Sequence, residues 1–222
     1  KIMKEYIENL FPRYDEAGKD IILKAYEIAA EALKEQKRSN GNPFIEHPVA
    51  VAKIACDEIG LSAECIAAVF LHEATRFFPE TEIPKGAFGQ DVMTMMDGLN
   101  KISTIKPKDT KLEAENYKKL IVSYSKDPRV TVLKIADRLE VMRSLDMFPK
   151  LSRERKVLET MMLYIPLAHQ LGLYNIKSEL EDLALSQLEP ESYRHIVGKL
   201  AESEEERLAF IEHFLEPIRK AL

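Results

Sequence analysis

From Ser62 to Glu73 the chain is apolar almost all round: Ile66, Ala67, Val69, Phe70 and Leu71 leave hardly any polar stripe for water. A helix of that composition belongs at the centre of a fold, wrapped by other elements. The rest of the sequence supplies helical wrapping. Behind a capping residue, Asp15, apolar side chains recur at Ile21, Ile22, Ala25, Ile28, Ala29 and Leu33. This helix is expected to end in the polar run Glu35 to Asn40, stopped by Gly41. Pro48 suits a helix start, leading through Val51, Ile54 and Ala55 toward Gly60, and Ser62 caps the central helix.

Arg76 to Gly89, with two prolines and three phenylalanines, reads as an irregular loop. Helix resumes near Gln90 with Val92, Met95, Met96 and Leu99, and Ile105 to Thr110 reads as a mobile polar loop. Further helices are expected over 111–125, 129–146, 152–171, 173–188, 190–200 and 202–221. Val130 to Ile135 alternates like a strand, but Ala136-Asp137-Arg138-Leu139 restores a helical period. With no hairpin or βαβ signal, the expected class is all-α, a bundle of about ten or eleven helices.

The 222 residues can bury a sizeable core, and a net charge of −5 gives no whole-surface attraction for nucleic acid. No apolar run approaches the roughly 20 residues that span a bilayer. Cys56 and Cys65 lie in apolar helical patterns and read as reduced core thiols, which places the chain in the cytoplasm. The chain opens on Lys1, so an upstream segment is expected.

Three segments carry metal-ligand residue types in apolar surroundings: His47 before Pro48, the pair His72-Glu73, and Asp137. Imidazole and carboxylate together suit Mn²⁺, Fe²⁺ or Zn²⁺, ions that activate water and offset phosphoryl charge. Singly, His47 also suits a turn cap, His72 a hydrogen-bonded core histidine, and Asp137 an ion pair with Arg138. A zinc-protease HExxH pattern is excluded, because the fifth residue of His72-Glu73-Ala74-Thr75-Arg76 is not a histidine.

Gly41-Asn42-Pro43-Phe44-Ile45-Glu46-His47-Pro48-Val49, Ala67-Ala68-Val69-Phe70-Leu71-His72-Glu73 and Lys134-Ile135-Ala136-Asp137-Arg138-Leu139 resemble the HD hydrolase domain of the RelA/SpoT homologues, which make and degrade the alarmone (p)ppGpp. The resemblance continues through Asp97-Gly98-Leu99-Asn100-Lys101, Ala114 to Lys119, Tyr164 to Gly172 and Ile176 to Leu183, in order, over roughly residues 15 to 222. It implies an HD-type core over 1–150 and a C-terminal helical extension over 151–222. It also implies a synthetase domain of the same parent chain beyond Leu222, the parent being a GTP pyrophosphokinase.

The resemblance implies metal ligands at His47, His72, Glu73 and Asp137, holding Mn²⁺ if the domain is active and no ion otherwise. It implies substrate contacts at Lys37, Arg38, Arg143 and Ser144, with (p)ppGpp or another guanine nucleotide as ligand. Neither nucleic acid nor membrane is an expected partner. The sequence also departs from the family. Glu73 stands in place of the aspartate of the His-Asp pair. The acidic Glu-Asp couple that handles protons is replaced by Arg76 and Phe77, neither of which is a general base. Val141 removes an amide from the nucleotide path, and Glu140 adds a negative charge near it.

The expectation is thus a degenerate, hydrolytically inactive domain kept for structural and regulatory reasons. The alternatives are an active Mn²⁺-dependent 3′-pyrophosphohydrolase, borrowing an acid such as Glu80 or Glu82, and a nucleotide-binding module using Lys37 and Arg38. On a helix, Arg76 shares a face with Glu73. It is expected to pair with Glu73 or Asp137 and supply the charge a metal would bring, unless the helix ends first and leaves it in solvent.

Overall fold

The computed structural model describes residues 2–104 and 127–188. The helices expected over 111–125, 190–200 and 202–221, and the loop from Ile105 to Thr110, lie outside them. Among the described residues the chain is helical without a strand, as the periodicity requires. It divides into two compact units: one takes in 2–104 and 127–140, the other 141–188.

In the first unit, α1 (Ile2–Leu10) leads to α2 (Glu16–Ala32), whose N-terminus is capped as expected, the Asp15 carboxylate accepting from Gly18 N at 2.8 Å. Ile22, Ala25, Ala29 and Leu33 are buried, while Ile21 and Ile28 are only half-buried. The helix ends at Ala32, short of the expected polar run. The apolar stripe ends at Leu33, so nothing anchors a further turn. The chain instead folds into a tight loop, with Arg38 N donating to Asn42 O (2.8 Å) and Phe44 N to Gln36 O (2.9 Å). Gly41, at φ 87°, turns this loop and does not stop the helix.

α3 (Glu46–Lys53) begins just before Pro48 and runs into a widened π turn, Ile54–Ile59, which Gly60 ends in the left-handed region at φ 81°. The central helix α4 (Ala63–Phe77) is buried from Cys65 to Thr75 and packs against α2, α3 and α5 (Gln90–Thr104). It reaches two residues further than the sequence suggests, so Arg76 and Phe77 are helical and the irregular stretch starts at Phe78. α6 (Pro128–Arg143) begins on a proline, whose missing N–H is not needed there, and Asp127 Oδ1 accepts from Arg129 N at 3.0 Å.

In the second unit the expected 152–171 helix is present but interrupted: α7 (Lys150–Glu159), a π turn over Thr160–Tyr164, and α8 (Ile165–Gln170). Pro166 explains the widening, because a proline inside a helix has no N–H to donate and its ring crowds the preceding turn. α9 (Tyr174–Leu188) closes the described chain.

Candidate metal centre

Three helices of the first unit bring the expected ligand residues together. The first turn of α3 carries His47, the later part of α4 carries His72 and Glu73, and the middle of α6 carries Asp137. His47, His72 and Glu73 are buried, and Asp137 is half-buried. His47 Nε2 lies 2.7 Å from Asp137 Oδ1 and 3.7 Å from Glu73 Oε1, and His72 Nε2 lies 3.6 Å from the same Glu73 oxygen.

The other nitrogen of His47, Nδ1, meets Glu140 Oε2 at 2.5 Å. Glu140 is buried and accepts from Arg38 Nη2 with its second oxygen at 2.7 Å. Glu140 lies one helical turn beyond Asp137 and faces inward, between His47 and Arg38. Burial works against charge on His47, but hydrogen bonds to Asp137, Glu140 and Glu73 outweigh it and hold the imidazole well above its usual range. Asp137, Glu73 and Glu140 are correspondingly pulled down despite burial, through His47 and the cations Lys134, Arg76 and Arg38.

His72 is oriented by a chain of hydrogen bonds with one possible direction. Thr75 Oγ1 donates to Leu71 O (2.8 Å), so it accepts from Asn100 Nδ2 (2.8 Å), which turns Asn100 Oδ1 toward His72 Nδ1 (2.7 Å). Nδ1 must carry the proton, and Nε2 presents a lone pair to Glu73 Oε1. Burial favours this neutral form and lowers the imidazole's affinity for a second proton. Sequence reasoning gave Asn100 and Thr75 no role. Their only signals were that Asn100 stood in a segment resembling the family and Thr75 followed the His-Glu pair.

Arg76 pairs with Glu73, as one of the two expected partners, through Nη2 at 2.7 Å and Nε at 3.1 Å, both to Oε2. It does not pair with Asp137, whose oxygens meet His47 and Lys134 Nζ (3.3 Å). The guanidinium sits over the Phe77 ring at 4.4 Å and near Phe44 at 5.9 Å, and the two rings meet edge to face at 4.9 Å. Phe44 was also unforeseen.

Of the four expected substrate residues, Lys37 and Arg38 belong to the first unit. Lys37 is exposed and forms the loop bridge with Pro43, whereas the Arg38 side chain is buried on Glu140. Arg143 and Ser144 belong to the second unit, where Arg143 Nε and Nη2 donate to the Glu179 carboxylate at 2.6 and 2.7 Å.

This arrangement fits a divalent cation. Nε2 of His72 and Oε1 of Glu73 are two acceptors facing each other with no proton between them. One donor atom each from His47, Glu73 and Asp137 lies within 4.8 Å of the others. Ligands bonded at about 2.1 Å to one ion stand about 3–4 Å apart, and two imidazoles with two carboxylates are a borderline donor set.

Residues 25–174 match the HD domain family. Among curated proteins, the chain is 40% identical over 99% of its length to a guanosine-3′,5′-bis(diphosphate) 3′-pyrophosphohydrolase of Aquifex aeolicus, covering 31% of that protein. It is 38% identical over 89% of its length to the bifunctional (p)ppGpp synthase/hydrolase SpoT of Escherichia coli, covering 28% of it. It is 40% identical over 82% of its length to a GTP pyrophosphokinase of Streptomyces antibioticus, covering 21%. The chain thus spans less than a third of the length of these relatives. It belongs to the HD domain family and is a homologue of the RelA/SpoT-type (p)ppGpp hydrolases and synthetases.

Proposed function

We propose that this chain is the HD domain of a (p)ppGpp synthetase/hydrolase-type protein that keeps a cation-binding donor set but lacks proton-handling groups. It then serves a structural and regulatory role beside a synthetase domain of the same parent chain, in the cytoplasm. The observation that carries this reading is the Arg76–Phe77 pair. Where a hydrolase needs an acid to orient and deprotonate water, a guanidinium stacks on a phenyl ring.

The remaining carboxylates do not compensate. A general base works best with a pKa near the working pH, and those of Glu73, Asp137 and Glu140 are all pulled down. Each is also committed, to Arg76, to His47 and Lys134, and to His47 and Arg38 respectively. Glu80 and Glu82 make no hydrogen bond or ion pair with the cluster, and Glu82 instead lines a groove of about 650 Å³ against α2. A nucleotide module built on Lys37 and Arg38 is disfavoured by the bond from Arg38 to Glu140.

His47, His72, Glu73 and Asp137 would hold the cation, Mn²⁺ being the ion suggested by the resemblance; when bound, it supplies Lewis acidity. Around it, Glu140 and Asn100 fix the rings of His47 and His72 and Arg76 fixes a carboxylate, but none of these groups is poised to take a proton from water. The test is incubation with ppGpp and Mn²⁺, followed by assay for GDP and pyrophosphate. No release above the protein-free control is expected, and sustained turnover would overturn the proposal in favour of an active pyrophosphohydrolase.

A further inference from the structure

We propose that Arg76 is a positioning residue for the cation site: it draws one oxygen of Glu73 aside so that the other occupies the place among His47, His72 and Asp137. This rests on the reading that the donor set holds a divalent cation.

Glutamate has one more methylene and one more rotor than aspartate, so an unrestrained Glu73 would not present a single oxygen at a fixed point. Three observations show how it is restrained. Oε2 is gripped by two nitrogens of one guanidinium, Nε at 3.1 Å and Nη2 at 2.7 Å. Oε1 is left facing His47 Nε2 at 3.7 Å and His72 Nε2 at 3.6 Å. The guanidinium is itself braced, by the Phe77 ring at 4.4 Å and the Phe44 ring at 5.9 Å, with those rings in edge-to-face contact. Arginine suits this task because its planar fork stacks on an aromatic face while two nitrogens hold one carboxylate. Arg76 contacts neither His47 nor Asp137, so it stands beside the donor cluster and not in it. The substitutions at 73, 76 and 77 therefore act as one unit: the longer ligand is corrected by the cation three residues on, and the cation is held by the next residue.

Electrostatics alone predicts the opposite behaviour. A fixed positive charge beside a cation site repels the cation, so removing Arg76 would tighten binding. If Arg76 positions Glu73, removing it weakens binding, on the scale of about 10–100-fold typical of residues that orient metal ligands. The experiment is Mn²⁺ titration of the whole chain, followed by the loss of the free-ion paramagnetic resonance signal, for wild type, Arg76→Ala, Glu73→Asp and the double variant. Weakening by Arg76→Ala of roughly tenfold or more, and little or none in the Glu73→Asp background, is expected. Circular dichroism of each variant establishes that it is folded, and Phe77→Leu, which leaves both charges in place, should weaken binding in the same direction by less. Unchanged or tighter binding by Arg76→Ala, or equal weakening in both backgrounds, overturns the inference. Those outcomes overturn the inference alone, whereas no uptake by wild type overturns the cation site and the inference with it.

Discussion

Nδ1 of His47 lies 2.5 Å from Oε2 of Glu140, and through that carboxylate the imidazole is tied to a guanidinium from a distant part of the chain, Arg38. The Arg38 and Glu140 side chains are 8% and 5% exposed, so this pair is shielded from water. Removing one partner of a buried pair leaves the other charge uncompensated, at a cost of about 3–5 kcal/mol, whereas replacing both with apolar groups is often close to neutral. Glu140→Ala should therefore destabilise the chain by about that amount in urea denaturation. The combined Arg38→Met, Glu140→Met variant should lose clearly less than the two single variants summed, and simple additivity would show that the pair is not coupled.

The same cluster sets a pH dependence for the metal-free chain. A group whose folded pKa is raised contributes stability that is fully present below its unfolded value and is lost as pH rises through the folded one. His47, ordinarily near 6.5 and raised here by its carboxylate partners against burial, is such a group. His72, lowered by burial, is already neutral in both states above that pH, and the depressed carboxylates lose their contribution only in acid. From pH 6.5 upward, while the pH stays below the ordinary thiol value of 9.0, stability in EDTA should decline with rising pH. His47→Asn should flatten that decline. With Mn²⁺ the sign reverses, because the ion displaces the Nε2 proton, and the stabilisation it confers grows over the same window. Thermal melts in matched buffers check both directions.

How much of this was legible in the sequence follows from whether local pattern or distant meeting decided each part. The burial of α4 was readable because apolar residues on every side of a helix admit one solution. The convergence of His47, His72, Glu73 and Asp137 was suggested by the resemblance, and each lies on a helix whose neighbours are apolar. Arg38 was misplaced because the polar run after Leu33 is compatible with either a frayed helix or a loop. What decides for the loop includes the partner Glu140, 102 residues away. The inward face of Glu140 was hinted at by its spacing of three from Asp137, but a carboxylate in sequence carries no sign of whether it meets water, a phosphate or an imidazole. Asn100 is further from legible, since an asparagine in a helix is ordinarily a neutral surface choice and only the Thr75 hydroxyl gives its amide a direction.

Asn100 supplies a prediction that separates orientation from charge. Its Oδ1 accepts the Nδ1–H of His72, so Asn100→Ala leaves a buried donor without a partner, costing about 1–3 kcal/mol. It also frees the ring to adopt the tautomer with its proton on Nε2, which cannot bind a cation. Mn²⁺ affinity should fall about 10–100-fold, as for other residues that hold a ligand histidine. Asn100→Asp, which keeps an acceptor at Nδ1, should recover most of the affinity in the same titration. Loss of stability without loss of affinity would reduce Asn100 to a packing residue.

Gly98, two residues before Asn100, tests the packing that holds α5 against α6. A Cβ built there would lie 3.0 Å from Val130 Cγ2, tighter than most side-chain contacts, and Val130 is buried. On helix propensity alone, Gly98→Ala should stabilise by about 0.5–1 kcal/mol. Val130 is β-branched and stiff about χ1, so its methyl cannot swing away cheaply and the helices must separate instead. Overpacking of this kind costs about 1–3 kcal/mol, which exceeds the propensity gain. Gly98→Ala should therefore be destabilising in urea melts, and adding Val130→Ala should recover part of the loss even though that change alone opens a cavity. Because α5 also carries Asn100, the single variant should weaken Mn²⁺ binding, and the double variant should bring it back toward wild type. A Gly98→Ala chain that melts higher than wild type would mean that propensity outweighs the contact and that α5 has room to move away from α6.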